Sequence, residues 1–324
     1  MSAERYKKAC RPDRTSEEPD LEGAIWKIDR FAIHDGPGIR TTIYFKGCLL
    51  RCWWCSNPEG QRQEAEIGLS QTQCNRCGLC FAACPRGAIK SQNGLPALEV
   101  VECDFCGQCV SVCPANAIHV YRGGYTVAQL MDVIEKDRHI YRRSGGGITC
   151  TGGEPFLQAE FLRRLLAKCH EVGINTAVET CGCVDESEFK ASLTYVDWLF
   201  FDLKHIDGEQ HKRLTGRNNT LIQNNLRTAS STPGKRGKVL VIRQVVVPGL
   251  NDENNIRALA ELARGLPHLD YIELLPYHNY GMNKYQILGR QYRLEGTVPP
   301  SESKLKEYQE VIASYGINCQ IGGL

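Results

Sequence analysis

Apolar residues in this chain come in short dense runs separated by longer polar stretches of helical period. TTIYF (41–45), ITCTGG (148–153), NTAVET (175–180), WLFFDLK (198–204), VLVIRQVVV (239–247) and YIELLP (271–276) are too short for buried helices and rich in β-branched and aromatic residues. Such runs predict strands buried on both faces, as in a parallel sheet. Between them AEFLRRLLAKCHEVG (159–173) and NDENNIRALAELARG (251–265) carry the three-to-four spacing of amphipathic helices, the first stopped by Gly173. Thr126 followed three residues later by Gln129 predicts a capped helix start, continuing to about Ser144. The alternation gives an α/β chain of six βα units, too few to close an eight-stranded barrel.

Composition narrows the setting. The chain has 324 residues, 42% hydrophobic, with a formal charge of +2. That length suits one large domain plus a small one. Near-neutral charge argues against a nucleic-acid or membrane-surface partner, and no apolar run reaches the roughly 18 residues that span a bilayer. Residues 1–21 are polar, without the apolar stretch of a secretory signal, and are expected to be a loose extension of a cytoplasmic protein. In that setting 17 cysteines, grouped as C-x₂-C, point to metal rather than disulfides.

Two runs, CNRCGLCFAACP (74–85) and CDFCGQCVSVCP (103–114), repeat C-x₂-C-x₂-C-x₃-C-P. This is the bacterial ferredoxin pattern, in which the fourth Cys of each run ligates the other cluster. The expected sets are Cys74, Cys77 and Cys80 with Cys113, and Cys103, Cys106 and Cys109 with Cys84. Gly78 and Gly107 would let backbone amides approach the sulfurs. Zinc at each C-x₂-C pair would leave the third and fourth Cys and the proline unexplained. Residues 63–121 therefore read as a ferredoxin-like insert. At about 60 residues it depends on its clusters for stability. Residues 22–62 and 122–324 form the remaining domain.

A third group, Cys48, Cys52 and Cys55 in GCLLRCWWC, has only three cysteines. Three thiolates can hold three corners of a [4Fe–4S] cube and leave one iron open, whereas pure electron-transfer centres normally take four protein ligands. Zinc would want a fourth ligand, and the nearest candidates, His34 and Cys74, fit no common zinc spacing.

This triplet resembles the radical S-adenosylmethionine (SAM) superfamily. The longer HDGPGIRTTIYFKGCLLRCWWCSNPEG (34–60) is similar to the signature of the glycyl-radical-enzyme activating enzymes, in the branch with a two-cluster insert. The resemblance implies a partial (β/α)6 barrel, three [4Fe–4S] clusters and SAM bound at the open iron. It further implies one-electron cleavage of SAM to a 5′-deoxyadenosyl radical, which takes the α-hydrogen of a glycine on a partner glycyl radical enzyme. Partners of the family include diol dehydratases, choline and isethionate lyases, and arylacetate decarboxylases. A flavodoxin or ferredoxin would supply electrons in an anaerobic host, and the free protein would be a monomer.

Carried onto this chain, the resemblance assigns SAM contacts residue by residue. Gly152 and Gly153 match the GGE run that meets the methionyl amino group. Asp202 and Lys204 match a D-x-K motif for ribose and carboxylate. Arg243 matches an Arg near the SAM carboxylate, and His278 a late SAM-contacting His. Trp54 would pack on adenine and Ser56 present its backbone. Glu179-Thr180 resembles a monovalent-cation site, with Glu where some members have Asp. Each has a plainer reading: a strand–helix connector, a salt-bridged strand end, a structural His. What favours function is that all fall near C-terminal strand ends, the face where (β/α) barrels gather their sites. Cys10, Cys150, Cys169, Cys181, Cys183 and Cys319 fit no motif and read as small buried hydrophobes. The triplet and GGE run alone also suit a radical SAM enzyme acting on a small molecule or peptide. A ferredoxin-type electron carrier is a rival from another class. The 34–60 signature and NYGMNKYQILGR (279–290) favour the activating enzyme.

Overall fold

The computed structural model describes residues 21–322. The expected N-terminal extension, apart from Leu21, lies outside the described residues, as does Cys10.

Thirteen strands occur among the described residues: β1 (Glu22–Ala32), β2 (Arg40–Phe45), β3 (Glu66–Leu69), β4 (Ile89–Gln92), β5 (Leu95–Leu98), β6 (Ile118–Tyr121), β7 (Gly124–Thr126), β8 (Gly147–Gly152), β9 (Asn175–Thr180), β10 (Trp198–Asp202), β11 (Val239–Val246), β12 (Tyr271–Pro276) and β13 (Cys319–Ile321). Nine of them form one open sheet, ordered β13-β12-β11-β10-β9-β8-β2-β1-β7. The six apolar runs are β2 and β8 to β12, all parallel and neighbours in chain order. Three further strands of this sheet were not foreseen. β1 pairs antiparallel with β2, β7 pairs antiparallel with β1, and β13 pairs parallel with β12.

Alternation along each strand sorts the two faces. Ile43, Cys150, Val178, Leu199, Phe201, Ile242 and Leu274 join the main core with helix residues such as Leu162, Leu165, Leu226 and Ile256. Thr42, Thr151, Glu179, Asp202, Arg243 and Glu273 occupy the opposite face. There Arg243 on β11 reaches Glu179 on β9, with the Phe200 ring of β10 3.7 Å beneath its guanidinium. This face is the concave inside of an open barrel.

The helix start at Thr126 is a complete capping box: Thr126 Oγ1 accepts from Gln129 N, and Gln129 Oε1 accepts from Thr126 N. The helix does not run unbroken to Ser144. Val127–Ile134 passes through a 3-10 turn, Glu135–Asp137, into Arg138–Ser144. The break seats buried Asp137 to accept from Arg30 Nε at 2.6 Å, joining this segment to β1. Among the described residues no helix is long and apolar enough to cross a membrane.

Segment 66–121 forms two hairpin-like sheets, β3–β6 and β4–β5, outside the nine-stranded sheet. Its buried apolar core is Cys80, Ile89, Cys109 and Ile118.

Candidate functional site

The C-x₃-C-x₂-C loop leaves the C-terminal end of β2 and is held by backbone hydrogen bonds on both flanks. Gly47 N donates to Gly60 O (2.8 Å) and Cys48 N to Gln61 O (3.0 Å). Arg51 N and Trp53 N donate to Thr215 O and Leu214 O, at the end of helix Gly208–Thr215. Leu50 N donates to Cys48 Sγ (3.4 Å), the N–H···S contact that supports cluster thiolates.

The GGE run meets this loop at close quarters. Gly153 N donates to Phe45 O and Glu154 N to Gly47 O. A Cβ on Gly153 would lie 2.2 Å from Gly47 O and 2.5 Å from Gly60 O. Gly152 has φ +106°, and a Cβ there would lie 2.7 Å from Phe45 N. Both glycines are needed for backbone approach before any ligand is considered. Glu154 is fully buried: its carboxylate accepts from Thr180 Oγ1 (2.9 Å), Cys181 N (2.8 Å) and Phe156 N (3.2 Å). Burial pushes this carboxyl above its usual range, against the pull of those donors.

Asp202 and Lys204 pair at 2.9 Å beside the thiols. Burial alone would lower the Lys204 ammonium, but Asp202 and the thiols of Cys52 and Cys181 hold it above its ordinary value. Burial pushes Cys52 and Cys55 up, and Lys204 opposes it at both. The Cys181 thiol, hydrogen-bonded to Cys48, holds the Cys48 thiol below its ordinary value. The D-x-K pair, the three thiols and the GGE run are thus assembled in one place. Cys181 belongs to that place as well as to the core. Cys150, Cys169, Cys183 and Cys319 are buried, as small hydrophobes should be.

Arg243 lies inside β11 rather than at its end, deeper in the concave face. It bonds Glu179 and Glu273 at 2.5 Å each. Glu179 also accepts from Thr151 Oγ1 (2.6 Å), while Thr180 is spent on Glu154. Trp54 is buried against Tyr277, Tyr285 and Tyr292, with its indole N–H unpartnered. The His278 ring stacks on Tyr280 at 4.5 Å, and its Nδ1 accepts from Tyr280 N. Burial, then nearby Lys284, keeps its imidazole below the ordinary value.

In the insert, one pocket is lined by Cys74, Cys77, Cys80 and Cys113, and another by Cys84, Cys103, Cys106 and Cys109. These are the two sets that the ferredoxin pattern predicts. Gly78 and Gly107 share φ +76°, and Arg76 and Phe105 also adopt positive φ, so the repeat extends to the backbone. Ala88 N donates to Cys84 Sγ and Ala117 N to Cys113 Sγ, both at 3.3 Å. Among the described residues no three His, Cys, Asp or Glu side chains converge tightly enough for a single ion. Four thiols around each pocket match the ligand set of a [4Fe–4S] cube.

Several polar residues escaped the sequence reading. Lys284 Nζ donates to Ser56 O (2.8 Å) and Asn57 Oδ1 (3.0 Å), and Arg290 Nη1 to Pro58 O (2.7 Å). Buried Lys46 donates to Glu59 O (2.7 Å) and pairs with Glu66 at 3.3 Å. Gly281 fits under the loop, where a Cβ would meet Cys55 O at 2.9 Å. The sequence signals for this group were the stretch 279–290, which carries Gly281, Lys284 and Arg290, and the 34–60 signature, which carries Lys46.

Residues 100–262 match the radical SAM superfamily, and residues 66–114 match a 4Fe-4S dicluster domain. The chain is 40% identical over 307 residues to the choline trimethylamine-lyase activating enzyme of Oleidesulfovibrio alaskensis, covering 91% of this chain and 96% of that one. It is 38% identical over 314 residues to the 4-hydroxyphenylacetate decarboxylase activating enzyme of Clostridioides difficile, covering 95% and 98%. A solved domain of a pyruvate-formate lyase-activating enzyme from Bacteroides vulgatus is 31% identical, with a TM-score of 0.46, covering 55% of this chain and 100% of that domain. The chain belongs to the glycyl-radical-enzyme activating enzymes of the radical SAM superfamily.

Proposed function

We propose that Cys48, Cys52 and Cys55 hold a [4Fe–4S] cluster with one iron open to SAM, and that the chain installs a glycyl radical on a partner enzyme. When bound, cluster and SAM supply one-electron cleavage of the sulfonium and a 5′-deoxyadenosyl radical that takes the glycine α-hydrogen. The observation that carries the reading is the convergence of the three thiols, Asp202–Lys204 and the Gly152-Gly153 turn at the C-terminal face of the sheet.

The chain's own residues orient and exclude water. Lys204 offers its ammonium to the SAM carboxylate and Asp202 accepts from ribose hydroxyls. Gly152-Gly153 present backbone to the amino group. Ser56, with its carbonyl already held by Lys284, presents the loop's edge to adenine. Trp54 backs that edge from within the tyrosine cluster, and His278 closes the rim. Arg243 holds its charge in the concave face, pinned by two carboxylates. A monovalent cation at Glu179–Thr180 would have to share the Glu179 carboxylate with Arg243. Glu154 anchors the GGE turn to β9 rather than moving a proton.

Residues 63–121 act as a separate relay domain with two further clusters, fed by a flavodoxin or ferredoxin. Residues 22–62 and 122–324 form the SAM-binding domain. The working form is a cytoplasmic monomer that docks a glycine-bearing loop of its partner.

The test is anaerobic reconstitution, addition of SAM and a strong reductant, then addition of a glycyl radical enzyme. 5′-Deoxyadenosine together with a glycyl doublet in electron paramagnetic resonance (EPR) is expected. 5′-Deoxyadenosine without a protein radical would move the protein to small-molecule or peptide chemistry. Failure to cleave SAM would leave an electron carrier.

A further inference from the structure

The two cavities of the insert are not equivalent in their relation to the barrel. β3 and β6 pair Glu66 with Tyr121, Ile67 with Val120, and Leu69 with Ile118. The Glu66–Tyr121 end is the one fastened to the barrel. Glu66 accepts from Lys46 at 3.3 Å and from Arg290, and the Tyr121 ring meets Trp26 of β1 edge-on at 5.8 Å. Gly68 lies against Ile287, where a Cβ would come within 2.6 Å. Ile67 and Val120, one step from this end, line the Cys84/Cys103/Cys106/Cys109 cavity. Ile118, three steps away, lines the Cys74/Cys77/Cys80/Cys113 cavity. Arg122 Nη1 adds a bond to Asp104 O (3.1 Å), on the loop of the first cavity.

The same ion-pair group also grips the cluster loop. Lys46 and Arg290 touch Glu66 with their charged ends and hold Glu59 O and Pro58 O as well. Lys284 takes Ser56 O and Asn57 Oδ1 and lies 3.5 Å from Glu59. Segment 56–66, the only covalent link from Cys55 to the insert on that side, is thus clamped along its length. Lys46, Glu59 and Glu66 are buried, where an ion pair that loses one partner is strongly destabilised.

We propose that Lys46, Glu66 and Arg290, with Lys284, are positioning residues that hold the Cys84/Cys103/Cys106/Cys109 centre beside the Cys48–Cys55 centre and make it the immediate electron donor. The inference rests on the proposed function and adds the order of the relay. One electron leaves the inner insert centre, which is oxidised, and reduces the loop centre. The outer centre at Cys74/Cys77/Cys80/Cys113 then refills the inner one from a low-potential one-electron protein donor. No bond is made or broken and no proton moves.

The test uses the full reconstituted protein, frozen after dithionite reduction, with magnetic coupling between the loop centre and the insert read by EPR. Cys106→Ala should abolish that coupling and Cys77→Ala should retain it; the reverse pattern overturns the order. Glu66→Gln and Arg290→Gln, at full iron content, should weaken the coupling and slow SAM cleavage by about 10-fold, the lower end for outer partners of metal sites. Arg290→Lys should recover part of both. Unchanged coupling in Glu66→Gln and Arg290→Gln overturns the positioning role. If those variants lose iron, the cysteine pair still decides the order and Arg290→Lys the role, an unaltered coupling there counting against it. Coupling needs no SAM turnover, so its outcome is separable from failure of the proposed reaction.

Discussion

Gly153 shows most sharply how a single residue sets this site. With Gly47 O and Gly60 O at 2.2 and 2.5 Å from any Cβ, Gly153→Ala must push the cluster loop off the GGE turn. The expected loss is about 1–3 kcal/mol, typical of overpacking, seen as a lower melting temperature together with reduced iron at the loop. Lys204→Ala removes the charge that faces both Asp202 and the thiols. It should weaken SAM binding by about 2 kcal/mol or more, roughly thirtyfold, as for truncation of a buried charge pair, measured by equilibrium binding to the reconstituted enzyme. The cysteines and the D-x-K pair were legible because their spacing is local. Lys284, Arg290 and Glu154 were not, because each acts on partners far away in the chain: Lys284 on Ser56, Arg290 on Glu66, Glu154 on Thr180. Glu154 ends the GGE run, and Lys284 and Arg290 fall in the stretch 279–290, but neither motif marks those contacts.

Elements were read as well as their burial allowed. Five of the six parallel strands are buried along most of their length and β12 at alternate positions, so they appear as short, largely apolar runs. β1, EGAIWKIDRFA, mixes charge with aromatics because it lies near an edge of the sheet with β7 beyond it, and it shows no such run. The start of Val127–Ile134 was written in its capping box, while its interruption depends on an Arg30–Asp137 bond to β1. Thr126→Ala should therefore cost about 1 kcal/mol, read as a lower denaturant midpoint with an unchanged slope. Gln129→Ala should cost less, since it loses only the return bond to Thr126 N.

At the scale of the molecule, stability is divided unequally. The barrel rests on a continuous core of strand and helix residues, whereas two of the four buried residues in the insert's apolar cluster, Cys80 and Cys109, are themselves expected cluster ligands. Iron chelation under reducing conditions should open residues 63–121 to limited proteolysis first, with fragments of the barrel persisting. Simultaneous loss of both parts would contradict this division. The division has a geometric counterpart. β2 and β8 pair in register from Arg40–Gly147 to Phe45–Gly152, although the whole insert lies between them. The chain departs along β3 and comes home along β6, its antiparallel neighbour, so the detour begins and ends at one doorway. Closing a long excursion costs little more entropy than closing a short one. The strand order of the central sheet therefore does not depend on what is spliced in there, although a brief linker or a different redox cassette would have to offer Lys46 and Arg290 a partner in place of Glu66.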